Sequence, residues 1–206
     1  MPRQNRVTPF STLIATPDRG TLYGNRGCLH DDHGQIRRQF QSIRWLICLL
    51  EFKDRKHQIM KPGLYTELFF LDEATALATG HRPCAECQRD RFNLFREHWA
   101  KANPEITSEF RPLATAIDEI LHEERIQLRK DCTSLDGLPD GTFLTDDGLA
   151  AYLVLKGKLL RWAPGGYETV DTPKLNFQVT ILTPASTVRA LRLGYPVDIH
   201  PSAFAK

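Results

Sequence analysis

The sequence has no long apolar run. Its longest, Trp45–Leu50, is far too short to cross a bilayer, so a membrane span is not expected. The first twenty residues are polar and interrupted by Pro2, Pro9 and Pro17, without the apolar centre of a secretory leader. Charge of either sign is not in large excess: 27 Lys and Arg face 25 Asp and Glu, a balance that by itself names no partner class. There are only five cysteines in 206 residues, too few for the disulfide framework of a small secreted protein. These absences predict a cytoplasmic protein. Neither an internal repeat nor a low-complexity tract stands out. An H-E-x-x-H zinc-protease motif is missing too: His122-Glu123-Glu124-Arg125 begins like one but has Ile126 where the second histidine belongs.

What is present concentrates between Leu64 and Trp99. Leu64–Leu71 has the length and composition of a strand. Asp72 is placed to cap a short helix that runs through Ala78, and Gly80 is a natural stop. His81, Arg82 and Pro83 form a turn, because Pro83 bars helical geometry before it. Cys84-Ala85-Glu86-Cys87 follows. A second helix runs from about Gln88 to Ala102, with Phe92, Phe95 and Trp99 on one face. A C-x-x-C at a helix start sets two sulfurs near free backbone N–H groups, which favour thiolate. Such a pair suits zinc. A redox pair is the rival reading, but that motif follows a strand directly, and here a helix and a turn intervene.

The run FFLDEATALATGHRPCAEC resembles part of the zinc-binding domain of the Ada DNA-repair (methylphosphotriester-repair) family. Gly80, Arg82, Pro83, Cys84 and Cys87 stand at that motif's fixed positions. The resemblance covers roughly residues 64–99. It implies a four-ligand zinc site, contact with DNA, and a link to DNA damage repair. The family's other half is a C-x-x-x-C, one cysteine of which accepts a methyl group. This sequence contains no C-x-x-x-C, so the other ligands must come from elsewhere.

The candidates are Cys28, Cys48, Cys132 and the histidines. Cys28 and His30 share a turn-rich loop, TLYGNRGCLHDDHG, and rank first and second; His33 and His57 stand behind them. Cys48 lies in an apolar run and reads as an ordinary buried thiol. His81 is expected to turn away, and Cys132 to be structural. Residues 1–61 hold eleven Lys and Arg against five Asp and Glu, so the positive charge sits in this half. Arg82, Arg37, Arg38 and Arg89 are the expected phosphate contacts.

The remaining chain reads as follows. Met1–Arg19 is a loose arm. Gln39–Phe52 is a strand, and Leu64–Leu71 is its antiparallel partner. Glu105–Asp131 carries a helical apolar stripe. Thr142–Thr145, Ala150–Leu155, Leu159–Ala163 and Asn176–Leu182 are strands, and Thr183-Pro184 opens a closing helix. The expected fold is α+β. It comprises an Ada-like metal module at 1–103, a connecting amphipathic helix at 104–132 and a β-rich unit at 133–206. Three functions compete: a zinc protein that binds nucleic acid; a zinc-dependent enzyme, either a hydrolase or a thiolate alkyl acceptor at Cys28; and a structural zinc module for a protein partner.

Overall fold

The computed structural model describes residues 1–53, 59–127, 137–170 and 179–205, with the backbone alone at 131–132. Among them the chain is mixed α and β, with two sheets and four α-helices. The first half gives β1 (Gln4–Val7), β2 (Leu13–Ala15), β3 (Leu22–Asn25), β4 (Leu46–Cys48), β5 (Leu68–Phe70), α1 (Glu73–Ala78), β6 (Arg82–Pro83) and α2 (Arg89–Ala102). Then come α3 (Ala114–Ile126), β7 (Asp131–Cys132), β8 (Phe143–Thr145), β9 (Tyr152–Leu155), β10 (Lys158–Ala163), β11 (Gly166–Thr169), β12 (Val179–Ile181) and α4 (Ala185–Arg192). No helix among the described residues is long and apolar enough to cross a membrane.

The first sheet has the order β2-β1-β5-β3-β4-β6. Two of its pairings are parallel, β1 with β5 and β4 with β6; the others are antiparallel. Three expectations are corrected here. The N-terminal arm is not loose: Gln4–Ala15 forms an edge hairpin of this sheet. Only Leu46–Cys48 of the expected Gln39–Phe52 strand is extended in the sheet, because the Gln41 and Ser42 N–H groups are drawn to the Arg26 carbonyl. And β5 does not pair with β4; β3 lies between them.

The second sheet, β11-β10-β9-β8-β12-β7, is built by antiparallel neighbours. The hairpin β9–β10 turns at Lys156-Gly157, both with positive φ.

Two buried clusters span these parts. Phe92, Phe95 and Trp99 of α2 join Leu68, Phe70 and Leu77, but also Ala190, Leu191 and Tyr195 beyond the second sheet. Burying an aromatic side chain of this kind contributes roughly 1.5–3 kcal/mol. The second cluster sets Leu71, Ala74 and Ala78 of the first half against Phe143, Leu153, Leu160 and Tyr167. Helix α1 is therefore buried on every side. Asp72 caps it, accepting from the Thr75 N–H at 2.8 Å.

Candidate metal centre

The sheet itself assembles the centre. β4 and β6 run parallel, with Leu46 beside Arg82 and Ile47 beside Pro83. One further step along each strand sets Cys48 abreast of Cys84. The Cys84 N–H donates to the Ile47 carbonyl at 2.8 Å, and Gln88 Nε2 to the same oxygen at 2.9 Å, so the turn into α2 is tied to β4. The C-x-x-C turn then brings Cys87 round. The sulfurs of Cys48, Cys84 and Cys87 all lie within 4.8 Å of one another.

Backbone donors already face these sulfurs. The Glu86 N–H donates to Cys84 Sγ at 3.4 Å, the Cys87 N–H is directed to the same sulfur, and the Leu49 N–H to Cys87 Sγ. Hydrogen bonds from Cys48 and Cys87 hold the Cys84 thiol far below its ordinary range, whereas hydrogen bonding to Cys84, ahead of burial, pushes Cys48 up. The three thiols are thus hydrogen-bonded to one another, with Cys84 favoured over Cys48 as the thiolate. Three close sulfurs that stabilise thiolate are a fitting donor set for a soft or borderline divalent metal.

The cluster is not closed over. It lines a cavity of about 350 Å³ together with Tyr23, Tyr65, Glu67 and the rings of Phe52 and Phe69. Tyr23 faces Cys48 across the β3–β4 pairing and hydrogen-bonds to Tyr65. Burial, then Tyr65, raises its pKa well above the ordinary value. Glu67 is buried and accepts from the Met60 N–H at 2.6 Å. A second cavity, of about 550 Å³, shares Leu50, Ile59 and Phe69 with the first. Arg3, Arg6 and Arg19 line it.

No known protein family, curated protein or solved structure matches the chain.

The expected ligands divide. Cys84 and Cys87 are together, and Cys48 joins them. Cys28 and His30 do not, which corrects their place in the ligand set. Cys28 Sγ sits 3.5 Å from the His30 carbonyl. The buried His30 ring is held by Thr66 Oγ1 at 2.6 Å and the Lys61 carbonyl at 3.3 Å. His33 is exposed, and His57 lies outside the described residues. Cys132 is placed by its backbone alone, in β7.

Arg82 is likewise corrected as a phosphate contact. It is 2 % exposed, and its fork meets Asp118 of α3 at 2.8 and 2.7 Å. Arg37, Arg38 and Arg89 are on the surface, Arg37 paired with Asp31 at 2.7 Å; none lines the cysteine cavity. Sequence reasoning missed Cys48 because its apolar neighbours are also what a central strand requires. It missed Arg3, Arg6 and Arg19 because the arm was not expected to join a sheet.

Proposed function

We propose that the chain is a zinc-binding protein with an Ada-like metal module that contacts nucleic acid. The observation that carries the reading is the three-sulfur cluster at the head of a cavity that shares Leu50, Ile59 and Phe69 with a neighbouring arginine-lined groove. Cys48, Cys84 and Cys87 would hold the metal. Bound zinc would keep the three thiolates deprotonated at neutral pH and leave the site with a single net negative charge. The groove supplies the opposite sign. Arg6 and Arg19 are close enough that Arg19, after burial, lowers the Arg6 pKa, and such crowding of cations favours phosphate.

The test has two parts. Elemental analysis of the purified protein should give about one zinc per chain. Cys48→Ser should lose it, and Cys28→Ser should keep it. Affinity for duplex DNA should fall steeply with salt, and Arg3→Ala, Arg6→Ala and Arg19→Ala should each reduce the slope by about one unit. Zinc held firmly without DNA binding at low salt would favour a protein partner instead.

The cavity favours a second reading, in which the cluster is reactive. Cys48, the cysteine on β4, is opposite Tyr23 within the cavity. With bound zinc to hold its thiol deprotonated, it replaces Cys28 as the candidate alkyl acceptor. Its sulfur would form a bond to a methyl carbon as that carbon's bond to a phosphotriester oxygen breaks, releasing a phosphodiester anion. A single methyl gain on Cys48 after incubation with methylated DNA, read by mass spectrometry, would establish it. Zinc-loaded protein that binds that DNA and stays unmodified would reject it. A hydrolase would instead cleave model esters without gaining mass.

A further inference from the structure

A second concentration of chemistry lies away from the cysteines. Arg26 follows β3 and is 1 % exposed. Its Nε donates to His81 Nε2 at 3.3 Å and its Nη1 to the Ser11 carbonyl at 3.1 Å, while Nη2 has no partner among the described residues. Arg125, in the last turn of α3, donates from Nε to the Leu121 carbonyl at 2.8 Å and from Nη2 to the Ile43 carbonyl at 3.0 Å; its Nη1 has none. Both guanidinium groups lie over the Trp45 ring, 3.9 and 4.2 Å from its centroid.

Neither cation has a carboxylate partner among the described residues. Asp118 gives both oxygens to Arg82. Glu124 receives the Ser186 N–H at 2.8 Å and its hydroxyl at 2.6 Å. His81 brings no negative charge either: burial, then Arg26 and Arg125, keep it neutral. Arg26 is thus a buried charge, and Arg125 beside it, half-buried, is only partly offset by the nearby Asp118 and Glu124, an arrangement that costs stability unless something supplies further negative charge.

Beside them opens a cavity of about 590 Å³, within the range of small-molecule sites of roughly 300–1,000 Å³. Arg125 and Trp45 line it, as does Ser11, whose carbonyl holds Arg26. Phe40 adds a ring 5.9 Å from Trp45 and 5.3 Å from His122. Arg192 of α4 brings further positive charge to the lining; Arg189, also there, is paired with Glu105 at 3.2 Å, and Glu124 is the one carboxylate among the described lining residues.

We propose that this cavity binds a small anion carried on a flat aromatic ring. The anionic head meets Arg125, with Arg26 acting behind the Trp45 wall through its field. The ring stacks on the exposed Phe40. A nucleoside monophosphate and an aromatic carboxylate share this chemistry. The inference is independent of the metal reading, since none of Cys48, Cys84 and Cys87 lines the cavity.

The test uses the full-length protein and four probes in calorimetric titrations: adenosine monophosphate, adenosine, benzoate and cyclohexanecarboxylate. Adenosine monophosphate should bind at least tenfold tighter than adenosine, or benzoate at least tenfold tighter than cyclohexanecarboxylate. Which anion leads identifies the head group. Gln39 and Gln127 are exposed on the lining, so Gln39→Glu and Gln127→Glu should fold normally and weaken the better probe severalfold. Arg125→Lys should weaken it further. Neutral and charged probes binding alike, no binding at millimolar concentration, or rim variants that bind as the parent does would overturn the proposal.

Discussion

Arg82 and Asp118 meet fork to fork, with side chains 2 % and 3 % exposed. The Arg82 guanidinium also lies 5.0 Å from the Phe92 ring centre and donates to the Pro83 carbonyl at 3.0 Å. Such a pair adds little against a well-packed apolar alternative, but removing one partner strands the other charge. Asp118→Ala should therefore cost about 3–5 kcal/mol in urea unfolding. A loss within 0.5 kcal/mol would mean that Arg82 finds another partner or reaches water. His81 makes a pH prediction at the same scale. Its pKa lies well below 6.5, chiefly through burial. Below pH 6.5 the unfolded chain takes up a proton there and the folded chain does not. Its contribution is thus complete above that pH and declines as pH falls, by about 1.4 kcal/mol per unit until the folded pKa is reached. His81→Gln lacks this term. Its stability deficit at pH 7.5 should shrink at pH 5.5, both measured by urea unfolding in zinc-saturated buffer. Parallel profiles for the two proteins would count against it.

At the scale of elements, the cysteine cluster depends on how closely β3 and β4 lie. A Cβ at Gly24 would come within 2.1 Å of the Leu46 carbonyl oxygen and 2.8 Å of the Phe70 ring. Gly24→Ala should push β3 from β4 and shift Cys48 away from Cys84. We expect a loss of about 1–3 kcal/mol and a lower zinc stoichiometry. Unchanged zinc with unchanged melting would show that β4 is positioned by β6 alone. The same elements explain what could be read beforehand. Helix α1 was legible because its Asp72 cap and its stop at Gly80 are local signals, and α2 because of its apolar spacing. So were β8, β9, β10 and α4, each marked by turn residues or by Pro184. Two of the three clustered sulfurs were legible: Cys84 and Cys87 stand in one short turn, whereas Cys48 arrives only through the parallel β4–β6 pairing. Two-residue β6 carries no periodicity that could announce it. Arg82 stood in a recognisable motif, but burial against α3 depends on a helix remote in sequence. For the same reason the Arg26–Arg125 pair left no trace in the sequence pattern.

In the molecule as a whole, α1 joins the two sheets. Asp72, besides capping the helix, accepts from the Tyr167 hydroxyl at 2.6 Å and the His200 N–H at 2.9 Å. Glu73 accepts from the Tyr195 hydroxyl at 2.6 Å, the Asp198 N–H at 2.9 Å and the Arg91 guanidinium. Phe95 of α2 packs edge-on to Tyr195, with centroids 5.4 Å apart. The buried clusters thus run through the boundary at residue 103 that the sequence suggests. Cutting there would uncover the α2 face that Ala190, Leu191 and Tyr195 cover, and the face of α1 that meets Phe143 and Leu153. It would also strip Asp72 of its Tyr167 and His200 donors and Glu73 of its Tyr195 and Asp198 donors, leaving Thr75 and Arg91, in an apolar setting where each unsatisfied group costs about 1–3 kcal/mol. A marginally stable small domain does not absorb losses of that size. A fragment of residues 1–103 should therefore be largely unfolded by circular dichroism and amide NMR, even with zinc supplied, while the full chain is folded. A fragment that gives dispersed amide signals and retains one zinc would show instead that three sulfurs and the first sheet suffice, and that the second sheet was added to a module already able to stand alone.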